Sequence, residues 1–115
     1  MSFPLGSAGW VTRGSEYKGL YSSGIKHVGR YLLMFYQGSG TLPTRVGITV
    51  SGKVGGACVR NRTKRRLREA LRLVLERDDP GAVMVFVATR RILSASFEEI
   101  RADIHSLMAR GKKPR

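Results

Sequence analysis

The stretch from Lys53 to Arg72 reads KVGGACVRNRTKRRLREALR and joins a glycine-rich connection to a strongly basic helix. Six of the nine residues from Arg60 to Arg68 are Lys or Arg. At about 100° per residue, this pattern divides into an apolar stripe and a polar face. The stripe contains Thr63, Leu67, Ala70, Leu71, Val74 and Leu75. The polar face contains Asn61, Lys64, Arg65, Arg68 and Arg72. The pattern therefore predicts a helix over about Ala57–Arg77 that buries one face against a sheet.

The opposite face of this helix is predicted to be a rigid row of cations without a carboxylate among them. Such a row suits a polyanion with regularly spaced phosphates. The alternative is an ordinary solvated face, which usually places acids one turn away from its basic residues. Only Glu69 and Glu76 are available for that role between Lys53 and Arg77. The charge pattern therefore favours a nucleic acid partner.

The composition supports the same class of partner. The chain has 115 residues, 42% hydrophobic residues and a formal net charge of +13, which fits one domain over residues 1–115. A helix that binds an anionic membrane usually carries Trp or Phe beside its Lys residues, and this helix carries small aliphatics. Cys58 is the only cysteine, which is compatible with a cytoplasmic location. We see no secretory signal, and the longest apolar run, Ala82–Ala88, is too short to cross a bilayer.

The remaining segments predict an α+β protein. Residues 1–14 and 110–115 are expected to be flexible, and Tyr17, Leu20 and Tyr21 share one side of a short first helix. Strands are predicted at Tyr31–Tyr36, Arg45–Val50 and Ala82–Ala88, the last of them central, with a loop over Gln37–Pro43 and a break over Asp78–Gly81. Ser94 or Ser96 should cap a last helix whose apolar stripe is Phe97, Ile100, Ile104, Leu107 and Met108. The expected fold is a two-layer α–β sandwich of order αβββαβα with helices packed on a small mixed sheet.

Several possible sites are judged to be accidental. Gly47–Lys53 matches the spacing of a phosphate-binding loop, but Val54 stands where Ser or Thr would reach Mg²⁺, and Ile48–Val50 completes a strand. His27 and His105 are isolated and have no second ligand at metal-binding spacing. Cys58 is read as a small buried residue at the start of the helix. The sequence therefore predicts no metal site and no catalytic residues in the protein.

The run Arg60-Asn61-Arg62, continued by residues 63–70, closely resembles the signature of the bacterial ribonuclease P protein component. The resemblance covers roughly Tyr17 to Met108 and includes Arg45–Ser51, Lys53–Gly55 and the last helix start at Ser96–Glu99. It implies a ribosomal protein S5 domain 2-like fold with a left-handed βαβ crossover. It also implies a subunit of an RNA-catalysed endonuclease that removes the 5′ leader of precursor tRNA. The Mg²⁺ of that reaction is held mainly by the RNA, and none is predicted to bind the protein.

The resemblance also implies two binding surfaces. The first, for the catalytic RNA, consists of Lys53, Arg60, Asn61, Arg62, Lys64, Arg65 and Arg68. The second, for the precursor tRNA leader, consists of Tyr17, Tyr21 and Phe35. On the helix pattern alone the two tyrosines fit ordinary core packing, and the resemblance favours the leader cleft. No obligatory protein partner and no membrane partner are expected.

Two positions depart from the family pattern. The family usually has Lys where Gly52 stands and Asn where Gly56 stands, so one cation and one polar side chain are missing near the RNA. The early basic residues of the family are also reduced to Arg13. Two other classes of function remain open at this point. A plain RNA-binding module, such as a ribosomal or RNA-chaperone protein, would bind without affecting cleavage, and a protein-only nuclease or nucleotidase would act without RNA.

Overall fold

The computed structural model describes residues 9–10, 19, 21–38, 44–77 and 81–112. Its elements follow the predicted order αβββαβα, with one short strand before the first helix and a 3-10 helix before the last. Helix α1 includes Gly19 and residues 21–23. The strands are β1 (Gly9–Trp10), β2 (Ile25–Val28), β3 (Leu32–Gly38), β4 (Arg45–Thr49) and β5 (Ala82–Ala88). The later helices are α2 (Ala57–Arg77), the 3-10 helix η1 (Arg90–Ser94) and α3 (Phe97–Lys112).

The five strands form one mixed sheet in the order β1-β4-β5-β3-β2. Strand β4 pairs in parallel with both β1 and β5, whereas β3 pairs antiparallel with β5 and β2. The apolar run Ala82–Ala88 is the middle strand, as its hydrophobicity predicted. The parallel strands β4 and β5 are joined through α2 and form a βαβ unit. The left-handed crossover that the family resemblance implies would be the connection within this unit. The handedness of that crossover stays a prediction.

Helices α2 and α3 cover one face of the sheet. The buried residues of α2 are the predicted stripe, namely Thr63, Leu67, Ala70, Leu71, Val74 and Leu75. In α3, four of the five predicted stripe residues are fully buried, and Phe97 is partly buried at the edge of the core. Ser96 caps α3: its hydroxyl accepts from the Glu99 amide at 3.1 Å, and a Glu99 carboxylate oxygen accepts from the Ser96 amide at 2.8 Å. These stripes place the helices, and the placement of α2 turns its cations outward.

Alternation along β3 separates the two faces of the sheet. Leu32, Met34 and Tyr36 are buried beneath the helices, whereas Leu33 and Phe35 are partly exposed on the other face. That second face, called the open face here, is continued by Lys26 of β2, which is the register partner of Phe35. On the other side of Phe35 its partner is Val85 of β5. Lys26 and Phe35 therefore share the sheet face opposite the helices, on which Val85 is fully buried.

Some predicted boundaries were wrong. Gly9–Trp10, placed in the flexible lead-in, pairs with Arg45–Val46, and residues 37–38 of the predicted loop extend β3. Residues 110–112, placed in the mobile tail, form the last turn of α3. Arg110 donates to the Val28 carbonyl at 2.7 Å, and a Cβ at Gly111 would lie 2.5 Å from the Tyr36 ring. These errors share a cause, because tertiary partners supply the contacts that local composition lacks.

Two further features were not located from the sequence, namely the third strand that the predicted order αβββαβα requires before α2 and the anchor of the turn that follows it. Strand β2 has only four residues, two of them polar, and it forms because β3 offers a complete partner edge. The turn after β2 is held by the buried carboxylate of Asp103 in α3, which accepts from the amides of Arg30, Tyr31 and Leu32 at 2.8–3.1 Å. This carboxylate anchors the turn between β2 and β3 to the helix layer.

Candidate nucleic-acid interface

Helix α2 presents its cations to solvent because its other side is fixed in the core. Asn61, Arg62, Arg65 and Arg68 are exposed, and Lys64 is half-buried. These five residues are called the cation face. No carboxylate in the described part of the chain forms an ion pair with any of its four cations. The cation face therefore offers charges that are available to an external anion.

Arg72 does not belong to this free row, which corrects the prediction made from its helical position. Its guanidinium pairs with Glu69, and its Nη1 lies 2.7 Å from a carboxylate oxygen of Glu76. The hydrogen bond from Arg72 lowers the pKa of Glu69, and the same bond raises the pKa of Arg72. The two acids lie three residues before and four residues after Arg72, where helical geometry brings side chains together. The unpaired cations of this row therefore end at Arg68.

Lys53 and Arg60 have different surroundings. Lys53 is exposed in the connection between β4 and α2, whereas Arg60 is half-buried and its Nη1 donates to the Gly55 carbonyl at 3.1 Å. The two positions that depart from the family have room for a side chain. A Cβ at Gly52 would lie 3.8 Å from Arg60 Nη1, and a Cβ at Gly56 would meet nothing within 4 Å. Steric exclusion therefore does not explain the glycine at either position.

Cys58 was predicted to be buried, and this was wrong. The thiol is exposed, because Cys58 lies three residues before Asn61 and seven before Arg65, on the solvent side of α2. Its neighbour Val59 packs against the core in its place. Cys58 thus borders the cation face.

The predicted leader residues are brought together in part. The rings of Tyr21 and Phe35 meet edge to face, with centroids 4.8 Å apart and planes at 73°. Tyr21 is 42% exposed, and its hydroxyl lies 3.2 Å from Thr49 Oγ1. Tyr17, the third predicted residue, lies outside the described residues. The two rings, called the aromatic pair here, lie on the open face and offer π surface to a ligand.

The sequence reasoning missed several polar residues near these two surfaces. Thr49 reaches Tyr21 only through the fold, and Lys26 stands beside Phe35 only because of the β2–β3 register. Arg90 and Arg91 are exposed just after β5. Because β4 and β5 are parallel, their carboxyl ends lie at the same end of the sheet, so Arg90 and Arg91 lie on the same side of the molecule as the connection that carries Lys53. The apolar–polar pattern along a single strand does not indicate which residues of other elements lie beside it, so nothing in the sequence indicated that these residues are neighbours.

The structure places the residues of several motifs that were judged accidental. Gly47, Ile48 and Thr49 lie in β4, so the first part of the match to a phosphate-binding loop falls on a strand. Within residues 9–10, 19, 21–38, 44–77 and 81–112, no three His, Cys, Asp or Glu side chains are grouped as metal ligands. His27 lies in β2 and His105 in α3. Among the helices that the structure describes, none has the length and apolar character needed to cross a bilayer.

Comparisons with solved structures agree with this architecture. The ribonuclease P protein of Thermotoga maritima superposes with a TM-score of 0.77 over 87% of this chain and 94% of that chain, at 22% identity. The ribonuclease P protein of Staphylococcus aureus superposes with a TM-score of 0.78 over 90% of this chain and 94% of that chain, at 19% identity. At these identities, the likeness establishes the fold.

Sequence comparisons establish the family. The family model described as Ribonuclease P matches residues 9–112. A protein of Caldanaerobacter subterraneus subsp. tengcongensis named ribonuclease P protein component is 38% identical over 93 residues, which are 81% of this chain and 80% of the relative. A protein of the same name from Clostridioides difficile is 35% identical over 87% of this chain and 89% of its own length. With its α–β sandwich and its basic α2, this chain therefore belongs to the ribonuclease P protein component family.

Proposed function

We propose that this chain is the accessory protein subunit of a ribonuclease P holoenzyme whose RNA subunit is the catalyst. One observation carries the proposal: the cation face of α2 stands on a helix whose opposite side is locked into the core. A rigid row of unpaired cations binds phosphates without first ordering its own backbone. The enzyme activity is endonucleolytic removal of the 5′ leader from precursor tRNA, and no protein side chain acts as nucleophile, acid or base.

The protein works by electrostatics on the catalytic RNA. The cation face, together with Lys53 in the turn before α2, offsets phosphate repulsion where RNA strands converge. Each phosphate contact releases counterions. The logarithm of the affinity therefore falls by about 0.7–0.9 per contact for each tenfold increase in salt concentration. Arg72 contributes little to this binding, because Glu69 and Glu76 already neutralise it.

The aromatic pair holds the leader of the precursor tRNA. A base stacked on an aromatic side chain typically contributes about 1–3 kcal/mol. Tyr21 and Phe35 are supported for this role by their mutual contact and by the exposed Lys26 beside Phe35. The cation would neutralise a leader phosphate while the rings contact bases. Tyr17 is proposed for the same cleft from the family resemblance.

Mg²⁺ supplies the Lewis acid of the reaction, and we assign it to the RNA subunit. The described residues offer no group of three carboxylate, imidazole or thiolate ligands, so we assign no step to a metal held by the protein. The protein side chains bind and orient the two RNAs. In this proposal the protein acts in the cytoplasm, with RNA partners and without an obligatory protein partner.

Cleavage of a precursor tRNA at low Mg²⁺ tests the proposal. The protein alone, the cognate catalytic RNA alone and the mixture are compared under the same conditions. The expected result is efficient cleavage only by the mixture. Cleavage by the protein alone would indicate a protein active site. Binding of RNA without any stimulation of cleavage would favour a plain RNA-binding module.

The leader assignment has its own test with Phe35→Ala. This change should weaken binding of the leader-bearing precursor to the holoenzyme by about 5- to 150-fold, the loss of one stacked base, and leave mature tRNA binding unchanged. Tyr21→Phe is the matched control, since it keeps the ring and removes only the hydroxyl near Thr49. Equal losses for precursor and mature tRNA would argue for general damage to the fold.

A further inference from the structure

Arg60 is oriented differently from the other cations at the start of α2. Its Nη1 donates to the carbonyl of Gly55, five residues earlier, and its side chain is half-buried. Arg62, two residues further along the same helix, is exposed and has no ion-pair partner among the described residues. The guanidinium of Arg60 is therefore directed back onto its own chain.

The segment that Arg60 contacts is a glycine-rich turn, residues 51–56, called the Lys53 turn here. The amide of Val54 donates to the Ser51 carbonyl at 3.1 Å, and the amide of Lys53 lies 3.3 Å from the Ser51 hydroxyl. Val54 is buried, whereas Lys53 is exposed. The core and the turn bonds therefore fix the backbone on both sides of Lys53.

Gly55 brings the turn within reach of Arg60. A Cβ at this position would lie 2.8 Å from Val59 Cγ1, so only glycine permits this close approach of the backbone to α2. Three of the six residues in the Lys53 turn are glycines, which makes the free turn costly to order. A charged hydrogen bond to the Gly55 carbonyl offsets part of that cost before any RNA arrives.

We propose that Arg60 is a positioning residue that holds the Lys53 turn, and that Lys53 makes the phosphate contact at this point. The inference rests on the proposed RNA-binding function, and it revises the role that the family resemblance gave to Arg60. Arg60 acts through Lys53, so removing Arg60 removes the benefit of Lys53 as well.

A double-mutant cycle on catalytic-RNA binding tests this coupling, with the whole protein and the cognate RNA at several salt concentrations. Lys53→Ala should lower the salt slope by about 0.7–0.9, the value for one phosphate. Arg60→Ala should lower the slope by the same amount. The double variant should bind within about twofold of Arg60→Ala alone, which is the usual error of additivity. Independent phosphate contacts would instead give multiplied losses and a doubled change in slope, and would overturn the inference.

Arg62→Ala provides the matched control for the cycle. Because Arg62, unlike Arg60, donates no hydrogen bond to the Lys53 turn within the described residues, its loss should multiply with that of Lys53→Ala. Amide exchange in the free protein gives a second readout that needs no RNA. Arg60→Ala should speed exchange at Val54, whereas Arg62→Ala should leave it unchanged.

The two ways of failing are distinguishable. If Val54 exchange is unchanged in Arg60→Ala, the positioning role is overturned while RNA binding and the proposed function stand. If the wild-type protein does not bind the catalytic RNA, both the proposed function and the role of Arg60 are lost. A faster exchange at Val54 together with nonadditive binding losses supports the inference.

Discussion

The unpaired cations of α2 make a quantitative prediction about salt. Arg65 and Arg68 are exposed and have no carboxylate partner among the described residues, whereas Arg72 is paired with Glu69 and Glu76. Replacing Arg65 and Arg68 together by alanine should remove two phosphate contacts. The slope of log affinity against log salt should then become shallower by about 1.4–1.8. Alanine is a good helix former, so these exposed changes should leave folding nearly unaltered.

The slope converts into an affinity ratio that can be measured. Between 50 and 200 mM salt, the affinity advantage of the wild type over the double variant should shrink by about 7- to 12-fold. Filter binding or fluorescence anisotropy with the catalytic RNA gives both slopes, and a thermal melt checks that the variant folds.

Arg72→Ala is the control for this experiment, because its charge is already neutralised within the helix. Its slope should change by less than half the value of one free arginine. An unchanged slope in the Arg65→Ala/Arg68→Ala variant would remove α2 from the RNA interface. If the slope of log affinity against log salt changes by a full unit in Arg72→Ala, Arg72 contacts a phosphate, and the row of RNA-binding cations does not end at Arg68.

Three further predictions concern stability and are checked by thermal or denaturant unfolding. Leu67→Ala should lower the free energy of unfolding by about 2–5 kcal/mol, because Leu67 is fully buried in the core; a loss below 1 kcal/mol would contradict the packing of α2. Gly111→Ala should destabilise, because overpacking against the buried Tyr36 ring costs about 1–3 kcal/mol and exceeds the helix-propensity gain of up to about 1 kcal/mol; a higher melting temperature would refute this. The pKa of Glu99 is lowered, chiefly by the hydrogen bond from the Ser96 amide, so its contribution is present above the pKa of the unfolded chain and is lost as pH falls through the folded pKa. Glu99→Gln should therefore lower the melting temperature at pH 7 and have a progressively smaller effect as the pH falls through the lowered pKa; an effect that does not change with pH would exclude the carboxylate charge as the cause.

Much of the protein followed from local pattern. The helical stripe from Thr63 to Leu75 and the central strand Ala82–Ala88 were predictable because their apolar patterns extend over several residues. The cap of α3 was predictable from a serine followed by the acidic residues Glu98 and Glu99. The family was readable from Arg60-Asn61-Arg62 and its flanks. Burial of the stripe also determined that the opposite side of α2 meets solvent, so most of the cation face was predictable.

Errors arose where a residue's role depended on one distant or directional contact. The pairing of Arg72 follows from side-chain conformations that its charge alone does not determine, whereas the exposure of Cys58 was already implied by its helical spacing to Asn61 and Arg65. Strand β2 exists because β3 presents an edge, and Asp103 was not identified because its three amide donors lie about 70 residues away in the chain. No single-sequence pattern encodes such partners.

The sequence by itself determined the elements, the core stripe of α2 and the position of the cations, because helical and strand periods act within a few residues. Only the tertiary structure brought Tyr21 to Phe35 and Thr49 and placed Lys26 beside Phe35. The physical reason is range. Amphipathic patterning is a property of neighbouring residues, whereas ring contacts, strand register and directional hydrogen bonds arise only when separate segments pack together.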